Sequence, residues 1–217
     1  MSKDNEILVS LRGRLVNGQF DPGQRLQPEK LRTDYGCSAS TLRETLFRLS
    51  TEGLVDFQEQ RGFRVPRLSR KLQHELTLMR ILLEGEGACL SIRLGGVAWE
   101  ARLSAAHHQL SHIEMRVGSE PPAGHILELW SNAELEFHQT LIGACDSDTL
   151  KRTHRIIYNQ FRQQLITTGQ KFVFIPENVE QHKAILDAAL DRDEPLIRRR
   201  IHDHLARNLM QPEAMPV

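Results

Sequence analysis

The sequence predicts a mainly α protein in two parts: short helices closed by a small hairpin over residues 1–68, then a bundle of longer helices over residues 69–217. Three observations predict it. Apolar residues recur three and four apart in almost every segment, which is the helical period. Strand-like runs occur only before Pro66. Gly and Pro punctuate the chain at Gly18, Gly36, Gly95-Gly96 and Pro121-Pro122, where helices should stop.

In order, Asn5 to Asn17 sets Ile7, Leu8, Leu11, Leu15 and Val16 on one side and Arg12 and Arg14 on the other, an amphipathic helix ended by Gly18. Asp21-Pro22-Gly23 is a turn, followed by an extended piece around Arg25 to Gln27. Pro28 suits the first turn of a second helix, Glu29 to Tyr35, stopped by Gly36. A third helix opens after Ser38, a good N-cap, with Leu42, Leu46 and Leu49 as its apolar stripe. Ser40, Thr41, Arg43, Glu44 and Arg48 lie off that stripe. Leu54 to Gln58 and Phe63 to Pro66 flank Glu59-Gln60-Arg61-Gly62 as a hairpin. Two short helices joined by a tight turn and followed by a hairpin make a winged helix-turn-helix.

The linker 66–71 leads to six further helices: Leu72 to Leu94 with Leu72, Leu76, Met79, Leu83 and Leu90 as an inner stripe, Trp99 to Val117, His125 to Ala144, Asp148 to Thr168, Glu177 to Leu190 and Glu194 to Leu209. They imply an all-α six-to-seven-helix bundle. Phe172 and Phe174, beside Pro176, are expected in its core.

Lys plus Arg and Asp plus Glu both number 28, so no global basic field advertises a polyanionic partner. Residues 1–68 carry eleven cations against nine anions, so a nucleic-acid reading must rest on where charges sit. Cys37, Cys89 and Cys145 are isolated and odd in number, which suits a reducing cytoplasm better than a disulfide framework. No run approaches the roughly 18 uncharged apolar residues of a membrane span, and the N-terminus does not read as a secretory signal. On the third helix, Ser and Thr can approach phosphates closely, and Arg offers a forked donor set for a base edge or phosphate. An ordinary solvated helix face would carry the same residue types.

The ordered series of helix, DPG turn, PEKL, GCSASTLRETLFRLSTEGLV and RGFRV resembles the N-terminal DNA-binding domain of the GntR family of bacterial transcription regulators, over residues 5 to 68. The resemblance implies that Ser38, Ser40, Thr41 and Arg43 approach DNA, that Arg61 and Gly62 form the wing tip, and that Lys30 or Arg32 holds phosphate. The family often has Arg after the serine matching Ser38. Here Ala39 takes that place, so a base contact made by that Arg is absent. The helical remainder resembles the FCD-type effector domain of the FadR branch.

Glu134 and His138 stand one helical turn apart and share a face. With His182 and His204 from two later helices, they form a donor set suited to Zn²⁺, Ni²⁺ or Mn²⁺. Ten histidines also make chance pairs, and His108 with His112 is one. The FCD resemblance implies the metal: an acidic residue four before His, then His on the penultimate and last helices. The family usually has Asp at the first position, where this chain has Glu134. By the same comparison His108, His112 and His202 are bystanders. Arg80 either packs its stem with its head in water or on Glu84, or, as the resemblance implies, faces a cavity and clamps the carboxylate of a small organic acid. Tyr158, Asn159 and Arg162 are further candidates for the pocket wall.

The expected function is a homodimeric DNA-binding regulator responsive to a small organic acid, its two recognition helices reading a two-fold symmetric operator. A metalloenzyme built on Glu134, His138, His182 and His204 is the alternative from another class. No separate nucleophile or general base accompanies those residues. A third reading makes the helix-turn-helix a protein-interaction module.

Overall fold

The computed structural model describes residues 3–117, 124–166 and 177–210. Contacts divide the chain into two compact units, Met1–Ser69 with Asn159–Gln170, and Arg70–Tyr158 with Lys171–Val217.

The first unit contains α1 (Lys3–Val16), β1 (Arg25–Leu26), α2 (Pro28–Tyr35), α3 (Ala39–Thr51), β2 (Asp56–Gln58) and β3 (Gly62–Arg64). Each helix end has a local cause. Pro28 occupies the first turn of α2, where no amide partner is needed, and Gly36 stops it in the left-handed region at φ 55°. Ser38 caps α3, its hydroxyl accepting from the Thr41 amide at 3.0 Å. The hairpin is joined by β1, giving an antiparallel sheet of order β1-β3-β2 in which Leu26 lies opposite Phe63. The extended piece at Arg25 therefore became a strand because β3 offered it a free edge. The core gathers Leu11, Leu15, Leu42, Leu46, Leu49, Leu54 and Phe63.

The same unit includes the end of a later helix, α7 (Asp148–Ile166). Gln160 donates to the Glu52 carbonyl at 2.8 Å, and Gln163 to that of Leu54 at 3.0 Å. Gln164 donates to the Arg67 carbonyl and accepts from the Ser69 amide. These amides satisfy backbone groups left over where α3 and the sheet end.

The second unit is helical: α4 (Arg70–Leu94), α5 (Val97–Val117), α6 (Gly124–Leu141), the start of α7, α8 (Glu177–Leu190) and α9 (Glu194–Ala206). Helix α4 packs on α9, α5 on α6, and α8 on both α5 and α9. Trp99, Leu103, Leu110, Phe137, Leu141, Ile185, Ile197 and Ile201 form its apolar core. Gly87 lets α4 pass close to the end of α6, since a Cβ there would stand 2.8 Å from Ile142. No helix among the described residues is long and apolar enough to cross a membrane. Pro121-Pro122, Phe172 and Phe174 lie outside the described residues.

The expected inner stripe of α4 needs correction. Leu76 is buried, but Met79 is 39 % exposed, beside exposed Leu78 and Leu82, while Leu72, Leu83 and Leu90 are only partly covered. The fully buried side of α4 instead carries Thr77, Arg80, Glu84, Ala88 and Ser91. Its polar residues face inward because the other helices supply buried polar partners, described below.

Candidate functional site

In the first unit, the DNA-facing candidates stand at the surface. Lys30, Arg32, Ser38, Ser40, Arg43 and Arg61 are exposed, and Thr41 and Gly62 are partly so. Ser38 is already engaged by its cap and by a 2.9 Å hydroxyl contact with Thr41, which fixes both hydroxyls at the start of α3. Arg32 makes a 3.6 Å ion pair with Glu29. Gly62 takes φ 73° at the hairpin tip, with open space where a Cβ would be, so the backbone turn is what requires glycine there.

In the second unit, α6 carries Glu134 and His138, α8 carries His182 and α9 carries His204. One ligand atom from each lies within 4.8 Å of the other three, and all four side chains are buried. The imidazoles lie against one another, with centroids 4.6 Å apart for His182 and His204 and 5.5 Å for His138 and His204. The Nε2 atoms of His138 and His182 are buried and have no hydrogen-bond partner among the described residues. A buried donor or acceptor left unpaired is costly, and a divalent cation at the centre would satisfy both.

Each imidazole has a polar atom behind it. Glu84 Oε2 stands 2.8 Å from His138 Nδ1, a close contact rather than an aligned hydrogen bond. Glu114 lies 3.2 Å from His182 Nδ1 and also accepts from the Trp130 indole. The side-chain amide oxygen of Gln181, Oε1, lies 3.0 Å from His204 Nδ1. All three turn Nε2 inward, the outer-sphere arrangement that orients metal-bound imidazoles.

Burial is the largest cause holding the His204 pKa well below the ordinary imidazole value, and the nearness of His182, His138 and Arg80 acts in the same direction. Burial also lowers His138, with Glu84 partly opposing. Both shifts favour the neutral ring, the form that ligates a metal. For Glu84, burial works against ionisation, but Arg80 and His138 outweigh it and hold the carboxyl well below its usual value.

Arg80 is fully buried, and its Nε donates to Glu84 Oε1 at 2.7 Å. Its guanidinium lies 4.7 Å over the Tyr158 ring, so Arg80 and Tyr158 are together. The head reaches Glu84 and not water. Asn159 and Arg162 are buried further along α7, among residues of the first unit. His108 and His112 stack at 6.2 Å on the exposed side of α5, and His202 is exposed beside Asp203. Sequence reasoning missed Glu114, His154 and Gln181 as partners of the cluster and saw Glu84 only as the residue one turn beyond Arg80. Nothing in their spacing relates them to the histidines.

Comparisons agree with this architecture. Residues 75–207 match the FCD domain, and residues 3–65 match the bacterial regulatory proteins, gntR family. An uncharacterized HTH-type transcriptional regulator BphR of Paraburkholderia xenovorans (strain LB400) is 36% identical over 183 residues, 84% of this chain and 74% of that protein. The HTH-type transcriptional repressor GlaR of Escherichia coli (strain K12) is 27% identical over 90% of this chain and 89% of its own length. Two solved structures share the fold: E. coli McbR/YncC, with a TM-score of 0.79, 18% identity and coverage of 96% and 95%, and a GntR regulator from Rhodococcus sp. RHA1, with a TM-score of 0.75, 20% identity and coverage of 96% and 98%. BphR, GlaR and the Rhodococcus protein are named as transcriptional regulators. The chain belongs to the gntR family of bacterial regulatory proteins and is a DNA-binding transcription regulator with a winged helix-turn-helix and an FCD domain.

Proposed function

We propose that this regulator binds operator DNA as a homodimer in the cytoplasm and that a small organic acid, held with a divalent metal in the helical domain, alters that binding. In this reading residues 1–68 read DNA and residues 69–217 sense the effector and pair with a second copy. Lys30, Arg32, Ser38, Ser40, Thr41, Arg43, Arg61 and Gly62 would meet the duplex. Leu78, Met79 and Leu82 on α4, exposed in the single chain, are an apolar surface suited to a partner copy.

The observation that carries the metal reading is the convergence of Glu134, His138, His182 and His204 with two orphaned Nε2 atoms. These four would hold Zn²⁺, Ni²⁺ or Mn²⁺, which supplies a Lewis-acidic anchor for an anionic ligand. Charge supports the same conclusion. The buried charges described in the second unit are Arg80 against Glu84, Glu114 and Glu134. Counting the histidines as neutral, they leave an excess of two negative charges that a divalent cation cancels. An organic acid would therefore enter only the metal-loaded protein, with Arg80 and Tyr158 nearest to its carboxylate. Among the described residues the chain passes from one unit to the other in the linker 66–71 and within helix α7, and a shift in helix packing would travel along these stretches.

The test is operator affinity by gel shift, on the intergenic DNA beside the gene, with a panel of carboxylates and with metal either loaded or chelated. The expected result is an affinity change for one carboxylate class that disappears on chelation. Affinity unmoved across the panel in the metal-loaded protein would overturn effector control by those acids.

A further inference from the structure

Ser40, Arg43 and Phe47 stand at i, i+3 and i+7 on α3, one stripe on the side opposite the buried Leu42, Leu46 and Leu49. The first two suit DNA. The third is a phenyl ring, 52 % exposed, and Phe57 of β2 meets it edge-on, with centroids 5.8 Å apart and planes at 80°. On its other side Phe57 lies against Phe63, its antiparallel partner on β3, at 4.8 Å. Phe63 belongs to the core of the unit, so three rings run from that core through the hairpin to the polar face of α3.

Strand β2 buries no side chain of its own, and it is an edge strand in the order β1-β3-β2. Its ladder with β3 fixes register, Gln58 opposite Gly62, but not the tilt of the hairpin against α3. The Arg61 amide donates to the Gln58 carbonyl at 3.0 Å, so the turn carrying Arg61 and Gly62 moves with β2. Phe47 and Phe57 both stay partly in water, and an edge-to-face contact between such rings chooses an orientation more than it adds stability. We propose that Phe47 and Phe57 are positioning residues for operator binding: their contact seats the wing on the DNA-facing stripe of α3, so that Arg61 and Arg43 reach the duplex as one preset surface. The proposal rests on the reading above that α3 and the wing tip meet DNA. Without the seat, binding must first select the aligned wing from a wider set of tilts, and apparent affinity falls by that fraction.

The test is affinity of the full-length chain by gel shift on the intergenic DNA beside the gene. Phe47→Ala and Phe57→Ala should each lose about 2- to 10-fold. The double variant should lose no more than either alone, since both remove one contact. Phe57→Tyr, which keeps the ring, should bind as wild type. Arg61→Ala should cost less in the Phe57→Ala background than in wild type, because an unseated wing no longer presents it. Amide exchange in Phe47→Ala should quicken across residues 56–64 and stay unchanged in α1 and α2, a pattern that general loosening of the fold does not produce. Arg61→Ala that costs affinity while Phe47→Ala and Phe57→Ala bind as wild type would overturn the seat and leave the DNA-facing surface standing. Losses that simply add would mean that each ring meets the duplex by itself, and they overturn the seat too. An Arg61→Ala variant that binds as wild type takes the wing off the DNA-facing surface, and the proposal falls with that reading. Should Phe57→Ala not fold, Phe47→Ala, at the more exposed ring, carries the test.

Discussion

Residues 3–69 and the helical unit bury different kinds of residue. Within residues 3–69 the core is aliphatic and aromatic, and Thr45 is the buried polar side chain among those described. The interior of the helical unit also takes in Arg80, Glu84, Glu114, Glu134, His138, His154, His182 and His204, several of them with no exposed surface at all. Residues 3–69 thus put their inside to stability and their outside to recognition, and the other buried polar groups of the first unit, Asn159, Arg162, Gln163 and Gln164, come from the end of α7. The second devotes part of its inside to a polar site, and such a site holds together only while every member keeps its partners.

That contrast can be broken by substitution, and the largest effect should come from the polar interior. Glu84→Ala takes the carboxylate away from Arg80 and His154 and should cost about 4 kcal/mol in denaturant unfolding, as removal of one partner from a buried ion pair does. The exposed Glu86→Ala should cost under about 0.5 kcal/mol by the same measurement. Equal effects would mean that the buried network is not a unit. In the first unit, Leu46→Ala on α3 leaves a cavity in an apolar core and should cost about 3 kcal/mol. Metal affinity, read by chelator competition, should not follow it.

Acid should separate the units next. His138 and His204 have folded values depressed below 6.5, so the unfolded chain binds more protons than the native one between those values and 6.5. Stability of the metal-free protein is therefore full above pH 6.5 and falls as pH drops below it, by at most about 1.4 kcal/mol per pH unit for each histidine. Glu84, depressed below 4.5, adds its own loss at lower pH. Melting curves from pH 8 to 5 check the direction, and a transition that sharpens or rises on acidification would contradict it. Smaller again, above only the Glu86→Ala control, should be Ser38→Ala, which removes the α3 cap for about 1 kcal/mol and loosens operator binding without altering metal affinity.

How much of this could be read from sequence follows the same division. Helix α3 announced itself because its apolar stripe, its cap and its polar face all agree, and α2 because Pro28 and Gly36 bracket it. Helix α4 was found as a helix but turned the wrong way. Its buried side includes Arg80 and Glu84, and a rule that sends apolar residues inward places Met79 there instead. Glu134 and His138 were visible as a pair through their spacing on one helix. His182 and His204 were set beside them as a donor set from two later helices, and the family resemblance implied the metal, because three separate helices meet only in the folded chain. Glu114, Gln181 and His154 act through tertiary contact and carry no local signal. The three glutamines at the end of α7 carry no sequence signal of a partner, and in the fold they hold backbone carbonyls of Glu52, Leu54 and Arg67.

The most direct check is metal stoichiometry of the purified full-length protein, stripped and then dialysed against Zn²⁺, Ni²⁺ or Mn²⁺, for wild type and for His138→Ala with His182→Ala. The account predicts one tightly held ion per chain in wild type, with none retained in the double variant, while both bind operator DNA through the winged helix. Wild-type protein that retains no ion, or a double variant that retains the same amount, would show that the polar interior of the helical unit is not a metal centre.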